Sequence, residues 1–222
     1  AYEIDGKLYE TISGFSVNTV IGKEKFFGEM DGWNMQEFLE YVKTLPEDVT
    51  ILGGNLPALP YQYADFLRDE FYLEENAAIT AQCAIKLIQQ HREHIEGTNI
   101  LIIGWGRIGK RLAVLLKELG ASITVSVRKE TDLHDAHVLG YDVVEAPKWN
   151  ASQYDIVINT APALLMEQQE TRENAFLLDL ASVRGISGDQ VIWARGLPSK
   201  DAPDISGILI AKTALRYALR KE

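Results

Sequence analysis

The 222-residue chain has a single cysteine, Cys83. No intramolecular disulfide can form, and a cysteine-rich zinc site is excluded. That usage fits a reducing compartment, so we expect a cytoplasmic protein. Basic residues are scarce beside acidic ones, 22 against 32, which leaves a formal net charge of −10. General binding to nucleic acid or to an anionic membrane needs a basic surface, so we expect neither partner, although a local basic pocket stays compatible. Long apolar runs are also missing, and none reaches the roughly 20 residues of a membrane span. The opening "AYEIDGKLYE" is polar and charged, unlike a signal peptide. Internal repeats and low-complexity segments are absent from the sequence.

What is present is an ordinary globular composition, 46% apolar and 24% charged, at a length that permits one large domain or two small ones. The first 75 residues differ from the rest. "YEIDGKLYETI" alternates around Asp5-Gly6 and predicts a hairpin. "NMQEFLEYVKTL" puts Met35, Phe38, Leu39 and Val42 at helical spacing before Pro46. "DVTILGG" predicts a short buried strand, and "NLPALPYQYADFLRDEF" a turn leading into a short helix. "ENAAITAQCAIKLIQQHREHI" predicts a long amphipathic helix over residues 75–95. Beyond it, apolar strands alternate with helices: "NILIIG", "SITVSV", "YDVVEA", "YDIVINT", "AFLLDLA" and "VIWARGLP" read as strands. Helices fall on "IGKRLAVLLKELG" and "DLHDAHVLG", and "DISGILIAKTALRYALR" predicts a C-terminal one. The fold class is therefore α/β, a Rossmann-type doubly wound parallel sheet with a smaller N-terminal α/β lobe. The expected organisation is a small lobe over 1–75, a linking helix over 76–97, a dinucleotide-binding domain over 98–202, and a C-terminal helix over 203–222 that packs back toward the lobe.

The central signal is "ILIIGWGRIGKRLA", residues 100–113, a G-x-G-x-x-G between a strand and a helix. Gly104 permits the tight turn, Gly106 lets backbone amides approach a pyrophosphate, and Gly109 lets the helix pack close to the sheet. Trp105, Arg107 and Ile108 complete the loop, and the helix start offers unpaired N–H groups to phosphate. Trp105 either lies over the pyrophosphate or packs on the N-terminal lobe. The next strand ends in "ITVSVRKE" with no acid to bind ribose hydroxyls. Ser126, Arg128 and Lys129 stand there instead, a set that suits a 2′-phosphate. We therefore expect NADP, with NAD as the alternative.

Four motifs in order, "GWGRIG", "INTAPALL", "LLDLASVRG" and "ARGLPSKDAPDISG", resemble the family of bacterial dipicolinate synthase A chains. That family is itself related to the D-2-hydroxyacid dehydrogenases and to adenosylhomocysteinase. The resemblance covers about residues 76–220 and marks a shortened, divergent member. It implies an active cleft between two lobes and oxidation of a small carboxylated substrate with a nicotinamide cofactor. It also implies that Asn159, Thr160, Ala161, Pro162, Ala181 and Ser182 line the nicotinamide side. Helix capping is an equal reading for Asn159 and Ser182. Where the family carries T-x-E-G, this chain has "TAQC", so Gln82 replaces a titratable group with an amide. Asp204 replaces a lysine, and Arg195 is an addition.

Asp204 as acid or base and Arg195 as substrate clamp are the catalytic candidates. Arg184 and Lys200 are further cations at strand ends, to be weighed against solvated loop charges. Asp179, in the apolar "LLDLA", is either a pKa-shifted acid or a carboxylate satisfied by backbone amides. The pairs His91/His94 and His134/His137 read as surface residues and no metal is expected, while Cys83 reads as core. The expectation is an oxidoreductase acting by hydride transfer on a small carboxylated substrate. The alternative is a non-catalytic NADP(H) sensor or a partner protein of an enzyme. Apolar helix faces such as "AITAQCAIKLI" and "ILIAKTALRYAL" lead us to expect a homodimer or larger homo-oligomer.

Overall fold

The computed structural model describes residues 2–4, 7–9, 36, 40, 43–44, 51–54, 56, 58–59, 63–163, 171–172 and 174–219. The chain forms two compact units, one of residues 1–75 with 203–222 and one of residues 76–202. The larger holds six parallel strands: β5 (Asn99–Ile103), β6 (Ser122–Val127), β7 (Asp142–Glu145), β8 (Ile156–Asn159), β9 (Phe176–Asp179) and β10 (Val191–Trp193). Their spatial order is β10-β9-β8-β5-β6-β7, the doubly wound arrangement expected from the sequence. Strands β8 and β9 are buried at every residue, and β5 at all but its first. Such strands read as continuous apolar runs because both sheet faces are covered.

Helices α2 (Arg107–Glu118) and α3 (Glu130–Val138) connect the β5–β6 and β6–β7 pairs. Gly109, Leu112, Ala113 and Leu116 form the buried face of α2, at the spacing of one helical stripe. Both helices stop at a glycine with positive φ, Gly120 at 83° and Gly140 at 75°. At each stop the following amide reaches back to the last turn, Ala121 to Leu116 at 3.1 Å and Tyr141 to Ala136 at 3.2 Å. Strand–helix alternation fails beyond β7, where only a 3₁₀ turn at Ala151–Gln153 precedes β8. The described residues between β8 and β9, and all of 180–190 between β9 and β10, contain no helix. Side chains at the strand ends hold those connections instead. A second short helix, α4 (Leu197–Asp201), follows β10, which is only three residues long.

In the smaller unit β1 (Tyr2–Ile4) and β2 (Lys7–Tyr9) pair antiparallel, while the Asp5-Gly6 turn between them lies outside the described residues. So do Met35, Phe38, Leu39, Val42 and Pro46, although Gln36 and Glu40 in the same stretch are helical. Strand β3 (Ile51–Gly53) pairs in parallel with β4 (Tyr63–Asp65). Residues 63–65 were expected to lead into a helix. The exposed edge of β3 needs hydrogen-bond partners, and Tyr63–Asp65 supplies them before a single 3₁₀ turn at Phe66–Arg68. Helix α1 (Glu70–His91) starts earlier than the expected residue 75, because Asp69 caps it: its Oδ1 accepts from the Tyr72 amide at 2.8 Å. Among the described residues no helix is long and apolar enough to cross a membrane.

Asp69 also ties α1 to α5 (Pro203–Leu219). Its Oδ2 pairs with the Arg216 guanidinium and accepts from the Tyr217 hydroxyl at 2.9 Å. Arg216 in turn lies over the Phe71 ring, 4.5 Å from its centre. Burial raises the Asp69 carboxyl pKa, but Arg216, the Tyr72 amide and Tyr217 outweigh it and hold the group below its ordinary value. The stabilisation is therefore full above the unfolded carboxyl's pKa of about 3.9, and it is lost as pH falls through the lower folded value. Asp69→Asn should cost about 2 kcal/mol near neutral pH and flatten the acid limb of stability. Urea denaturation as a function of pH checks this, and an unchanged acid limb would contradict it.

Candidate functional site

The carboxyl ends of β5, β6, β8 and β9 converge around the glycine loop. Gly104 follows β5 with φ of 104°, and a Cβ there would lie 2.7 Å from Thr160 Oγ1. Its amide donates to the Ser126 carbonyl at 2.9 Å, which fixes the turn to β6. A Cβ on Gly109 would lie 2.2 Å from the Gly104 carbonyl oxygen. That neighbour is backbone and cannot swing aside. Gly106 is different: it precedes α2 with an extended backbone, and beyond its two chain neighbours a Cβ would meet nothing within 4 Å. Arg107 and Ile108 open α2, where first-turn amides lack intrahelical acceptors and the helix dipole is positive. The loop is thus a backbone cradle with open space at its middle glycine, as an approaching pyrophosphate requires.

Trp105 packs within its own unit. It is 6% exposed, donates from Nε1 to Asp135 Oδ2 of α3 at 2.9 Å, and stands edge-on to Tyr141 at 5.4 Å. A large apolar ring with one N–H is best buried where that N–H finds an acceptor. Lys110 Nζ lies 2.8 Å from the same Asp135 oxygen. The Lys110 and Trp105 hydrogen bonds hold the Asp135 carboxyl below its ordinary pKa. Asp135 carries no sequence signal of its own; only the fold brings it to the loop.

Ser126 sits one residue from the end of β6, paired with Ile103 and Val144. It is 1% exposed, and its Oγ has no hydrogen-bond partner among the described residues. An orphaned buried hydroxyl is unusual and calls for a ligand or an unseen water. Arg128 and Lys129 follow it, both exposed, with side chains free of ion pairs and hydrogen bonds among the described residues. Glu130 and Asp132 stand in the first turn of α3 just beyond them.

On the other side of β5, Asn159 and Asp179 are 0% exposed. Asn159 Oδ1 accepts from the Ala161 amide at 3.0 Å, and its Nδ2 donates to the Ala161 carbonyl at 3.1 Å and to Asp179 Oδ1 at 3.0 Å. Asp179 accepts three more bonds, from the amides of Ala181 (3.0 Å), Gly185 (2.6 Å) and Ile186 (2.9 Å). Its carboxylate is therefore the kind satisfied by N–H groups, not a free acid in an apolar strand. Neither Asn159 nor Ser182 caps a helix, since both stand at the start of non-helical loops. Thr160 donates from Oγ1 to the Ile103 carbonyl at 3.0 Å, and the Ala181 carbonyl accepts from Trp193 Nε1 at 3.0 Å. Pro162 and Ser182 are exposed on the surface of these loops.

The other candidates disperse. Arg184 is no anion clamp: it bonds its own loop, to the carbonyls of Ile186 (3.0 Å) and Gly188 (2.8 Å). Arg195 and Lys200 are exposed in the larger unit, and Asp204 is exposed in the first turn of α5, in the smaller one. Gln82 is exposed on α1. Cys83 is buried, and burial with the Asp201 charge pushes its thiol pKa up, against the weaker effect of Lys86. It is therefore a poor nucleophile. Among the described residues no group of three or more His, Cys, Asp or Glu is placed to hold a metal. Gly185 closes the motif "LLDLASVRG" but was not among the candidate site residues. A Cβ on it would lie 2.4 Å from Asn159 Nδ2 and 2.5 Å from the Ala163 carbonyl oxygen.

Residues 74–177 match the NAD-binding domain of the D-isomer specific 2-hydroxyacid dehydrogenases. The chain is 29% identical over 155 residues to the dipicolinate synthase A chain of Bacillus subtilis strain 168, a match over 67% of this chain and 52% of that protein. The chain therefore spans about half the length of that curated relative. Two crystal structures of dipicolinate synthase A chains share the fold. The Bacillus halodurans protein superposes with a TM-score of 0.75 at 23% identity, over 86% of this chain and 72% of that one. The Bacillus subtilis protein gives 0.74 at 22%, over 82% and 68%. A transhydrogenase from Sinorhizobium meliloti gives 0.51 at 15%, over 66% of this chain and 55% of that one. The resemblance carried by the four motifs thus holds: the larger unit is similar to the NAD-binding domain of the 2-hydroxyacid dehydrogenases, and the chain to the dipicolinate synthase A chains.

The glycine geometry makes a sharp prediction. Gly109→Ala should cost about 2–4 kcal/mol, because α2 must move off the turn. Gly106→Ala should stay within about 0.5 kcal/mol of the native stability. Urea denaturation of the two variants checks this, and equal losses would contradict the assigned contacts.

Proposed function

We propose that the protein is an NADP-dependent oxidoreductase acting on a small carboxylated substrate. The observation that carries the cofactor reading is the space at Gly106, where a Cβ would meet nothing beside the α2 N-terminus. The chain's own part is to hold the pyrophosphate on the amides of Arg107, Ile108 and Gly109. In this reading the dinucleotide crosses the sheet where strand order reverses, between β5 and β8. The adenosine half lies over β6, and the nicotinamide half over the loops after β8 and β9. Arg128 and Lys129 receive the 2′-phosphate, and the unpartnered Ser126 hydroxyl supports them. When bound, the nicotinamide supplies the hydride donor or acceptor, while the protein orients it and limits water. Arg195 is the candidate for the substrate carboxylate and Asp204 for proton transfer, following the motif positions they occupy.

A second reading, non-catalytic binding of NADP(H), is favoured by one observation. Asp179 and Arg184, the acid and base nearest the end of β9, are both bonded within their own loop. Neither is free to move a proton or to clamp an anion.

Calorimetric titration with NADPH and NADH tests the cofactor. Arg128→Ala should weaken NADPH about tenfold or more and leave NADH nearly unchanged. Gly106→Ala, although stably folded, should weaken both. Wild-type protein that binds neither cofactor would overturn the proposal. Turnover of a carboxylated substrate by the NADPH-bound protein, lost in Arg195→Ala, would separate the enzyme from the sensor.

A further inference from the structure

We infer that Asp179 is the positioning residue for the nicotinamide side of the site, acting through the loops after β8 and β9 rather than on any ligand. The inference rests on the dinucleotide reading above and goes beyond it by naming the group that sets one half of the site. A carboxylate has about four lone-pair directions, and Asp179 uses all of them on N–H donors within 3.0 Å. Three donors are backbone amides of the loop after β9; the fourth is the side chain of Asn159 at the end of β8. Asn159 in turn fixes Ala161 through both its amide and its carbonyl. Gly185 seals the junction, because a Cβ on it would run into Asn159 Nδ2 and the Ala163 carbonyl, so no side chain fits. The described start of the loop after β8, residues 160–163, and the loop after β9 are thereby joined, with exposed Pro162 and Ser182 on their surface. The adenosine side, built on Ser126, Arg128 and α2, shares none of these bonds.

This arrangement separates a positioning role from a general structural one. Asp179→Asn keeps the shape but puts an NH₂ donor where two N–H groups already point. Gly185→Ala disturbs the same junction without changing charge. The probes are the tighter-binding of NADPH and NADH, together with its adenosine half, 2′,5′-ADP or ADP. In each folded variant the dinucleotide should lose about tenfold in affinity and the adenosine half less than about twofold. Equal losses for the two probes, or no loss, overturn the inference and leave the cofactor reading intact. Wild type that binds neither probe overturns the reading itself, and the inference with it. Hydrogen exchange on the wild-type protein needs no variant to fold. The dinucleotide should slow exchange at the Gly185 and Ile186 amides more than the adenosine half does, and equal protection overturns the inference.

Discussion

The larger unit depends on an approach between two pieces of backbone. The carbonyl oxygen of Gly104 lies 2.2 Å from where a side chain on Gly109 would begin, so only glycine lets α2 start there. That contact sets how steeply α2 leaves the β5 turn and which way its first amides point. The rest follows from it. The buried face of α2 meets the sheet at Leu112, Ala113 and Leu116, and β6 is delivered beside β5 with Ser126 opposite Ile103. A phosphate cradle made of backbone has no side chain to adjust, so its geometry must be right at this one point.

The two sides of the sheet's carboxyl edge are organised by different forces. Around Gly104 and Gly109 the ordering is steric. Around Asp179 it is electrostatic: a charge with no solvent contact is tolerable only where hydrogen bonds replace its hydration, and four do so. This explains why helices are dispensable between β9 and β10. A helix would satisfy its own amides internally, whereas this loop satisfies Ala181, Gly185 and Ile186 on a single carboxylate. The smaller unit repeats the device in milder form at Asp69, which is shared by a helix cap, a guanidinium and a phenol.

Signals that act over one turn or one strand were legible in the sequence. The six strands, the glycine stops at Gly120 and Gly140, and the tight turn at Gly104 with the close helix packing at Gly109 all follow from local spacing. Less visible was whatever depends on distant partners. Trp105 was open between two placements because its acceptor, Asp135, lies 30 residues on in a polar helix with no distinguishing pattern. Arg184 read as a free cation because its acceptors are carbonyls, which every residue has. The start of α1 was placed late because Phe71 looks like the end of one helix, when Asp69 makes it the beginning of another. The sequence reading places no helix after β8 or β9, and the hydrogen bonds to the buried Asp179 are what holds the loop after β9 in place of one.

Trp105 gives the loop one further property. Glycine-rich segments are ordinarily the most mobile parts of a chain, and ligands that order them lose affinity to the entropy of doing so. Here the residue between two of the glycines is rooted in α3 by a buried ring and an indole hydrogen bond. The ordering is therefore completed during folding, before any ligand arrives. The cradle is preorganised, and a phosphate arriving at it meets amides already in place.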